Sequence, residues 1–151
     1  MKKISAFLFV LFFASCGYQP IYLKNESKIL EVSNIILEGE RNINSRILNS
    51  IPVKEIKSRE ELNQLKITNL FTNQEISKNS KGQVISLRST LKINLSIFND
   101  DKILENKDFI AEFTYSNKSN KSELVSYQRE IKGDLIRTII KDINLYLNFR
   151  W

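Results

Sequence analysis

The residue whose surroundings most clearly indicate chemistry is Cys16, the single cysteine in a chain of 151 residues. Its thiol follows two small residues, Ala14 and Ser15, and an apolar stretch, 4–14, that is preceded by two lysines. A stretch of about 11 residues is too short to cross a bilayer, which takes about 20, and therefore fits a secretory signal. Small residues directly before a cysteine are what the lipoprotein signal peptidase requires. We therefore predict a signal peptide over residues 1–15, cleavage between Ser15 and Cys16, and diacylglycerol on the Cys16 thiol.

The lipid on Cys16 also predicts where the mature protein resides. Each buried CH₂ contributes about 0.8 kcal/mol, so two or three acyl chains form a stable membrane anchor where one would not. Gly17 stands at the sorting position, where Asp would favour retention in the inner membrane, so we expect the periplasmic side of the outer membrane. Phe13 departs from the pattern, because Leu is usual three residues before the cysteine. The alternative interpretation is an ordinary secretory signal followed by a chance cysteine.

Missing residue types argue against most catalytic sites. The chain has no histidine, which removes the usual general base, the Ser-His-Asp and Cys-His arrangements, and histidine-ligated metal sites. Its four glycines are too scattered for a phosphate-binding loop. The adjacent acidic pairs Asp100–Asp101 and Glu60–Glu61 are typical of solvated turns. We therefore predict that the protein is not an enzyme and has no catalytic residue, metal site or cofactor.

The charge of the chain is mildly basic. The formal net charge is +6, and loss of Lys2 and Lys3 with the signal leaves about +4 on the mature protein. A solvated surface accounts for a charge of this size, although an anionic partner, either a phosphorylated lipid or an acidic protein surface, is also consistent with it. We do not expect nucleic acid as a partner, because the chain is predicted to be exported and contains no nucleic-acid-binding motif.

The mature sequence predicts an α+β domain. Its periodicities and turn residues indicate, in chain order, strand 32–37, helix 41–51 ended by Pro52, an ambiguous segment 53–61, strand 64–71, exposed loop 72–83, strand 85–97, turn 99–102, strand 106–115, and a helix of about 25 residues that Ser122 could cap. The order β-α-β-β-β-α favours a mixed, antiparallel-rich four-stranded sheet with two helices packed on one face. We assign residues 16–30 to a lipidated tether and residues 31–151 to this single domain.

Strand 85–97 carries the clearest pattern in the chain. Apolar residues occupy its odd positions and polar residues its even positions, with Ser89 as the one interruption. Because successive side chains of a strand point to opposite faces, one face of this strand is predicted to be buried and the other wet. Arg88 and Lys92 both fall on the wet face, about 13 Å apart at roughly 3.3 Å per residue.

The opening of the mature chain carries a family resemblance. Residues 16–22 read Cys-Gly-Tyr-Gln-Pro-Ile-Tyr. This segment resembles the start of lipopolysaccharide-assembly lipoproteins of the LptE type, where Cys-Gly-Phe/Tyr-x-Pro-Leu-Tyr is familiar. The length and the order of elements are also similar, as is an arginine, Arg41, at the start of the first helix after a strand that carries Ile35 and Leu37. The seven-residue opening is the specific part of this resemblance.

The resemblance implies a function that the periodicities do not. Such proteins form a one-to-one complex with the LptD-like β-barrel that delivers lipopolysaccharide to the cell surface. They plug the barrel and help it to assemble, and some bind lipopolysaccharide. Their mechanism is positioning and binding, without covalent chemistry. The alternatives are an accessory subunit of another envelope complex or transporter, and a lipid-anchored enzyme, which the missing histidine disfavours.

Arg88 and Lys92 are the candidate lipopolysaccharide-binding residues, on strand geometry alone. A row of cations on one strand face could bind the phosphates of lipid A through charge-assisted hydrogen bonds, and an arginine can contact two oxygens at once. The alternative is a solvated strand face, because exposed strands often carry lysine and arginine. No local motif in the sequence decides between the two interpretations.

Overall fold

The computed structural model describes residues 29–58, 61–100 and 102–150. The predicted signal peptide 1–15, its cleavage site at Ser15 and Cys16, the sorting residue Gly17 and nearly all of the predicted tether lie outside these residues. The described part contains six strands and two helices: β1 (Leu30–Val32), β2 (Asn34–Glu38), α1 (Arg41–Leu48), β3 (Val53–Glu55), β4 (Gln64–Lys78), β5 (Val84–Asn99), β6 (Lys102–Ser116) and α2 (Lys121–Arg150).

The main sheet has four strands in the order β2-β4-β5-β6. β2 runs parallel to β4, whereas β4 with β5 and β5 with β6 are antiparallel pairs. Helix α1 packs on β2 and β4, and α2 packs on β5 and β6, so that both helices cover the same face. The predicted α+β fold, with its mixed sheet and two helices on one face, is confirmed.

The core lies between this sheet face and the helices. The odd positions of β5 are its centre, as their alternation predicted, and helical stripes from α1 and α2 cover them. Burial is essentially complete for Leu65, Ile67, Leu91, Ile93, Leu95, Ile97, Ile43, Ile47, Ile136, Ile139 and Ile143. Since burying one such side chain contributes about 1.5–3 kcal/mol, this cluster supplies the main stabilisation of the domain.

The prediction of an exposed loop over residues 72–83 was wrong for most of its length. β4 continues to Lys78, and Thr72, Asn73 and Gln74 pair with β5 at Thr90, Ser89 and Arg88. Ile76 is the one apolar residue of this stretch, so no hydrophobic alternation marks it, and the backbone ladder with β5 determines its conformation. The connection is confined to residues 79–83, where the side-chain oxygen of Asn79 accepts hydrogen bonds from the backbone N–H groups of Lys81 and Gln83 at 3.0 and 2.9 Å.

Near the amino terminus, the predicted strand 32–37 is interrupted at Ser33, which separates β1 from β2. The Ser33 hydroxyl donates to the carbonyl of Leu62 at 2.9 Å. The ambiguous segment 53–61 contributes β3, which pairs with β1 in a parallel two-stranded sheet. The first helix ends three residues earlier than predicted, at Leu48, because the N–H of Ser50 bonds to Ile47 in a tighter turn.

Helix α2 extends over 30 residues, longer than predicted, and the prediction that Ser122 caps it was wrong. The helix starts at Lys121, and the side-chain oxygen of Asn120 accepts hydrogen bonds from the N–H groups of Ser122 and Glu123 at 2.9 and 3.4 Å. Asn is as good an N-cap as Ser, and the sequence offers both within three positions. Neither helix in the described residues is long and apolar enough to span a membrane.

Candidate functional site

Arg88 and Lys92 lie on the face of β4, β5 and β6 that points away from the helices, here called the exposed sheet face. Their side chains are 38% and 47% exposed. In register, Lys92 lies between Leu70 of β4 and Ile110 of β6. The structure thus brings both sequence-predicted residues to one face, and it places neighbours from two other strands beside each of them.

Each of these cations lies next to a carboxylate of β6. The Nζ atom of Lys92 is 3.1 Å from Asp108 Oδ2, and Nη1 of Arg88 is 3.7 Å from Glu112 Oε1. The side-chain amide of Asn94 and, after it, Lys92 hold the pKa of Asp108 below its usual value. The positive charge that the sequence suggested for this row is therefore largely compensated within the sheet.

Amide and hydroxyl groups continue this pattern along β5 and β6. Asn94 donates to Asn106 and Asp108 at 2.6 and 2.7 Å, and Ser96 donates to Asn94 Oδ1 at 2.7 Å. At the β2 edge, Lys66 lies 2.7 Å from Glu38, and this contact lowers the pKa of Glu38. The exposed sheet face is consequently a broad polar surface on which most charges are paired.

A second cationic surface lies between the two helices, and its position depends on the turn before α1. Gly39 has φ +94°, and a Cβ there would lie 2.3 Å from the backbone oxygen of Asn69. The buried Asn69 amide donates to the carbonyls of Glu38 and Glu40 and to Asn44 Oδ1, and it accepts from the N–H of Glu40, at 2.8–3.2 Å. This network fixes the start of α1 to β4, because each polar group buried here has a partner.

Lys132 attaches α2 to the same region. Its Nζ atom lies 2.5 Å from the Glu40 carboxylate, just before α1, and 4.9 Å from the centre of the Phe71 ring on β4. A cation above an aromatic ring face is attracted by the ring's quadrupole. Lys132 therefore contacts both the start of α1 and the sheet, and it holds the two helices in a fixed relation.

The cleft between the helices, here called the helix cleft, has a volume of about 550 Å³. Three cationic side chains and three others line it: Arg46, Arg137, Lys141, Asn49, Ser50 and Ile140. Asn144 of α2 donates to the backbone oxygen of Ser50 at 3.0 Å and joins the end of α1 to α2. Arg137 is paired with Asp134 on its own helix.

Sequence reasoning did not identify the helix cleft. Arg46 and Arg137 belong to helices far apart in the chain, and each lies on the polar side of an ordinary amphipathic helix. The available signal was weak: each arginine is adjacent in sequence to a core isoleucine, Ile47 or Ile136, and therefore stands at the rim of the buried stripe.

A further cleft of about 540 Å³ separates β6, the edge strand of the sheet, from α2. Residues of the β6 edge, Ile110, Glu112 and Phe113, line it together with Glu130 and Asp134 of α2. Within the described residues, no group of three or more potential metal ligands lies together.

No family model matches the chain, and no curated protein matches it in sequence. Several solved structures match its fold. Rare lipoprotein B from Shewanella oneidensis has 13% identity and a TM-score of 0.52, over 75% of this chain and 91% of that one. An uncharacterized lipoprotein B from Nitrosomonas europaea has 12% identity and a TM-score of 0.57, over 80% and 86%. A minor lipoprotein from Acinetobacter baumannii has 11% identity and a TM-score of 0.50, over 82% and 90%. The chain therefore shares its fold with proteins described as bacterial lipoproteins.

Proposed function

We propose that this protein is an outer-membrane lipoprotein, anchored through Cys16 on the periplasmic side, that plugs the lipopolysaccharide-export β-barrel and helps it to assemble. Three independent features support the proposal. The signal and cysteine at 1–16 are typical of lipoproteins, residues 16–22 resemble the opening of LptE-type proteins, and the fold is that of solved bacterial lipoproteins.

The observation that carries the proposal is the chemistry of the exposed sheet face. A plug has to contact the inside of a barrel, and the interior of a large outer-membrane barrel is polar. A surface that meets such a wall must leave few unpaired charges, because a buried charge without a partner is strongly unfavourable. The pairs Lys92–Asp108, Arg88–Glu112 and Lys66–Glu38 meet this condition before any partner binds.

Two exposed apolar side chains on the same face are the expected anchors of the contact. Leu70 and Ile110 flank Lys92 in register and are 60% and 59% exposed. Apolar side chains that become fully desolvated at the centre of an interface contribute most of its affinity, while the polar surroundings give specificity.

The test is co-purification of the full lipidated chain with the lipopolysaccharide-export barrel of the same cell. We expect a one-to-one complex with the wild-type protein and at least tenfold weaker recovery with the double variant Leu70→Lys, Ile110→Lys. Leu145→Lys is the matched control, because Leu145 is 47% exposed on α2, away from this face. Equal recovery of the barrel with the double variant would contradict the proposed surface. Recovery of the wild-type chain only with a different envelope complex or transporter would contradict the function.

Lipidation is tested separately. Cys16→Ala should abolish the mass increase of the acyl chains and leave the protein either soluble or unprocessed, because no thiol remains at this position to carry diacylglycerol. Mass spectrometry of the wild-type protein that finds an unmodified Cys16 thiol would refute this part of the proposal without bearing on the sheet face.

A further inference from the structure

The helix cleft brings two guanidinium groups to the same point. The Nη1 atoms of Arg46 on α1 and Arg137 on α2 lie 3.9 and 3.8 Å from the position that a Cβ of Gly133 would occupy. They are therefore at most about 8 Å apart, a distance at which two like charges repel each other. Lys141, one helical turn beyond Arg137, also lines this cleft.

Fixed negative charge compensates this cluster only in part. Asp134 pairs with Arg137. Within the described residues, neither Arg46 nor Lys141 forms an ion pair. An anion placed between the three cations would remove their mutual repulsion and gain charge-assisted hydrogen bonds. A tetrahedral anion with several oxygens suits this donor set, because each guanidinium can donate two parallel N–H bonds to it.

Gly133 leaves the space in which the guanidinium groups meet. A glycine inside an exposed helix is unfavourable relative to alanine, so its presence in the middle of α2 calls for a local reason. With no side chain at this position, Nη1 of Arg46 and Nη1 of Arg137 both lie within 3.9 Å of the point that a Cβ would occupy. A Cβ would still fit at ordinary contact distance. We expect a longer side chain to compete with the two guanidinium groups for the same space.

We infer that the helix cleft is a binding site for a phosphate group, held by Arg46, Arg137 and Lys141. The inference goes beyond the proposed function, because it concerns a different surface from the one proposed to contact the barrel. Asn49 and Ser50 at the end of α1 provide further polar groups at the mouth of the cleft. The phosphate belongs either to a membrane lipid headgroup or to a free phosphate compound, since the cleft recognises the group that both share.

The test uses the full lipidated chain in detergent micelles and measures affinity for inorganic phosphate and pyrophosphate by calorimetry, with arginine side-chain NMR shifts as the local readout. We expect Arg46→Gln and Arg137→Gln each to weaken binding by about tenfold, as the loss of a charge-assisted contact implies. Gly133→Gln should weaken binding similarly although every cation is kept. Gly133→Ala should bind like the wild type.

Lys107→Gln is the control for net charge, because it removes one positive charge from β6, the edge strand opposite the β2 edge on which α1 packs. An affinity in Arg46→Gln equal to that of the wild type would overturn the inference. So would an equal loss in Lys107→Gln, which would show a general effect of charge instead of a site. The variants are expected to fold, because Arg46, Lys107 and Arg137 are exposed and Gly133 has no side chain to lose.

A second arm distinguishes the two sources of phosphate. The chain is also presented with phosphatidylcholine vesicles with and without phosphatidic acid. Because the acyl chains of Cys16 bind both kinds of vesicle, binding to phosphatidic acid is taken as the difference in affinity between the two compositions, and it is compared with binding to the soluble anions. Binding to both phosphatidic acid vesicles and free phosphate, lost in Arg46→Gln, supports a site for the group itself. Binding to the vesicles alone, with the same loss, assigns the lipid headgroup. Binding to neither overturns the inference.

Discussion

The exposed sheet face and the helix cleft are both rich in cations, and they differ in what surrounds each cation. On the sheet face, Lys92 and Arg88 each have a carboxylate of β6 within 4 Å. In the helix cleft, the guanidinium groups of Arg46 and Arg137 both lie close to Gly133. Among the described residues that line or adjoin this cleft, Asp134 is the one acid that forms an ion pair, and its partner is Arg137. A count of basic residues along the chain does not distinguish these two environments, although the cations of the sheet face are each paired and those of the helix cleft are compensated only in part.

The difference follows from how sheets and helices bring side chains together. In an antiparallel sheet, each residue has direct neighbours on two other strands, so a cation on β5 readily has an acid of β6 beside it. On a helix, the close neighbours are three and four positions away on the same chain segment. Where two helices meet, their outer side chains face each other without a backbone register that pairs them, and like charges can converge.

The largest expected effect breaks the helix cleft and spares the sheet face. Gly39→Ala should lower the free energy of unfolding by about 3 kcal/mol or more, since it adds a Cβ 2.3 Å from the Asn69 backbone to a residue with φ +94°. Urea denaturation of the full chain measures the change. Gly82→Ala is the matched control: its φ is +78° and no atom lies within 4 Å of the added Cβ, so we expect a loss of about 1 kcal/mol from backbone strain alone. Equal losses in the two variants would contradict the role of the Gly39–Asn69 contact.

The next effect concerns the sheet face itself. Lys92→Glu places a second carboxylate next to Asp108 and should destabilise the fold slightly, because like charges close together on one sheet face repel each other. The exchange Lys92→Glu with Asp108→Lys restores an opposite-charge pair and should recover most of that loss. Denaturation midpoints of the wild type, both single variants and the double variant give the coupling. A coupling of zero would show that solvent, and not Asp108, compensates Lys92.

A related prediction tests whether Arg88 and Lys92 bind lipopolysaccharide. Because each already has a carboxylate partner, we expect the double variant Arg88→Gln, Lys92→Gln to change lipopolysaccharide affinity by less than about threefold, consistent with the small energies of exposed ion pairs. Affinity is measured with the full chain at low and high salt, since screening weakens exposed charge contacts. A loss of tenfold or more at low salt would support the lipopolysaccharide-binding role predicted for this row from strand geometry.

Much of the fold could be predicted from the sequence, and the site much less so. The alternation of residues 85–97 and the apolar stripe of α2 identified the core, because the burial of one face of a strand or helix leaves a regular spacing of apolar residues within that element. The outer half of β4 escaped prediction because its strand depends on pairing with β5, and its polar residues carry no periodic signal. The helix cleft escaped for a related reason: it exists only when Arg46 and Arg137, on two separate helices, are brought over Gly133.

The smallest effect expected from the comparison is a dependence on acid pH that belongs to the sheet face. Asn94 and Lys92 lower the pKa of Asp108, and Lys66 lowers that of Glu38. A carboxyl with a lowered pKa in the folded state stabilises the fold above its unfolded pKa, about 4, and this contribution is lost as the pH falls through the lower, folded value.

The free energy of unfolding should therefore decrease as the pH is lowered below about 4, and Asp108→Asn should flatten that slope. If Asp108→Asn and the wild type lose stability in parallel from pH 5 to pH 2, the compensation of Lys92 by Asp108 contributes nothing to folding, and the contrast with the helix cleft would rest on geometry alone.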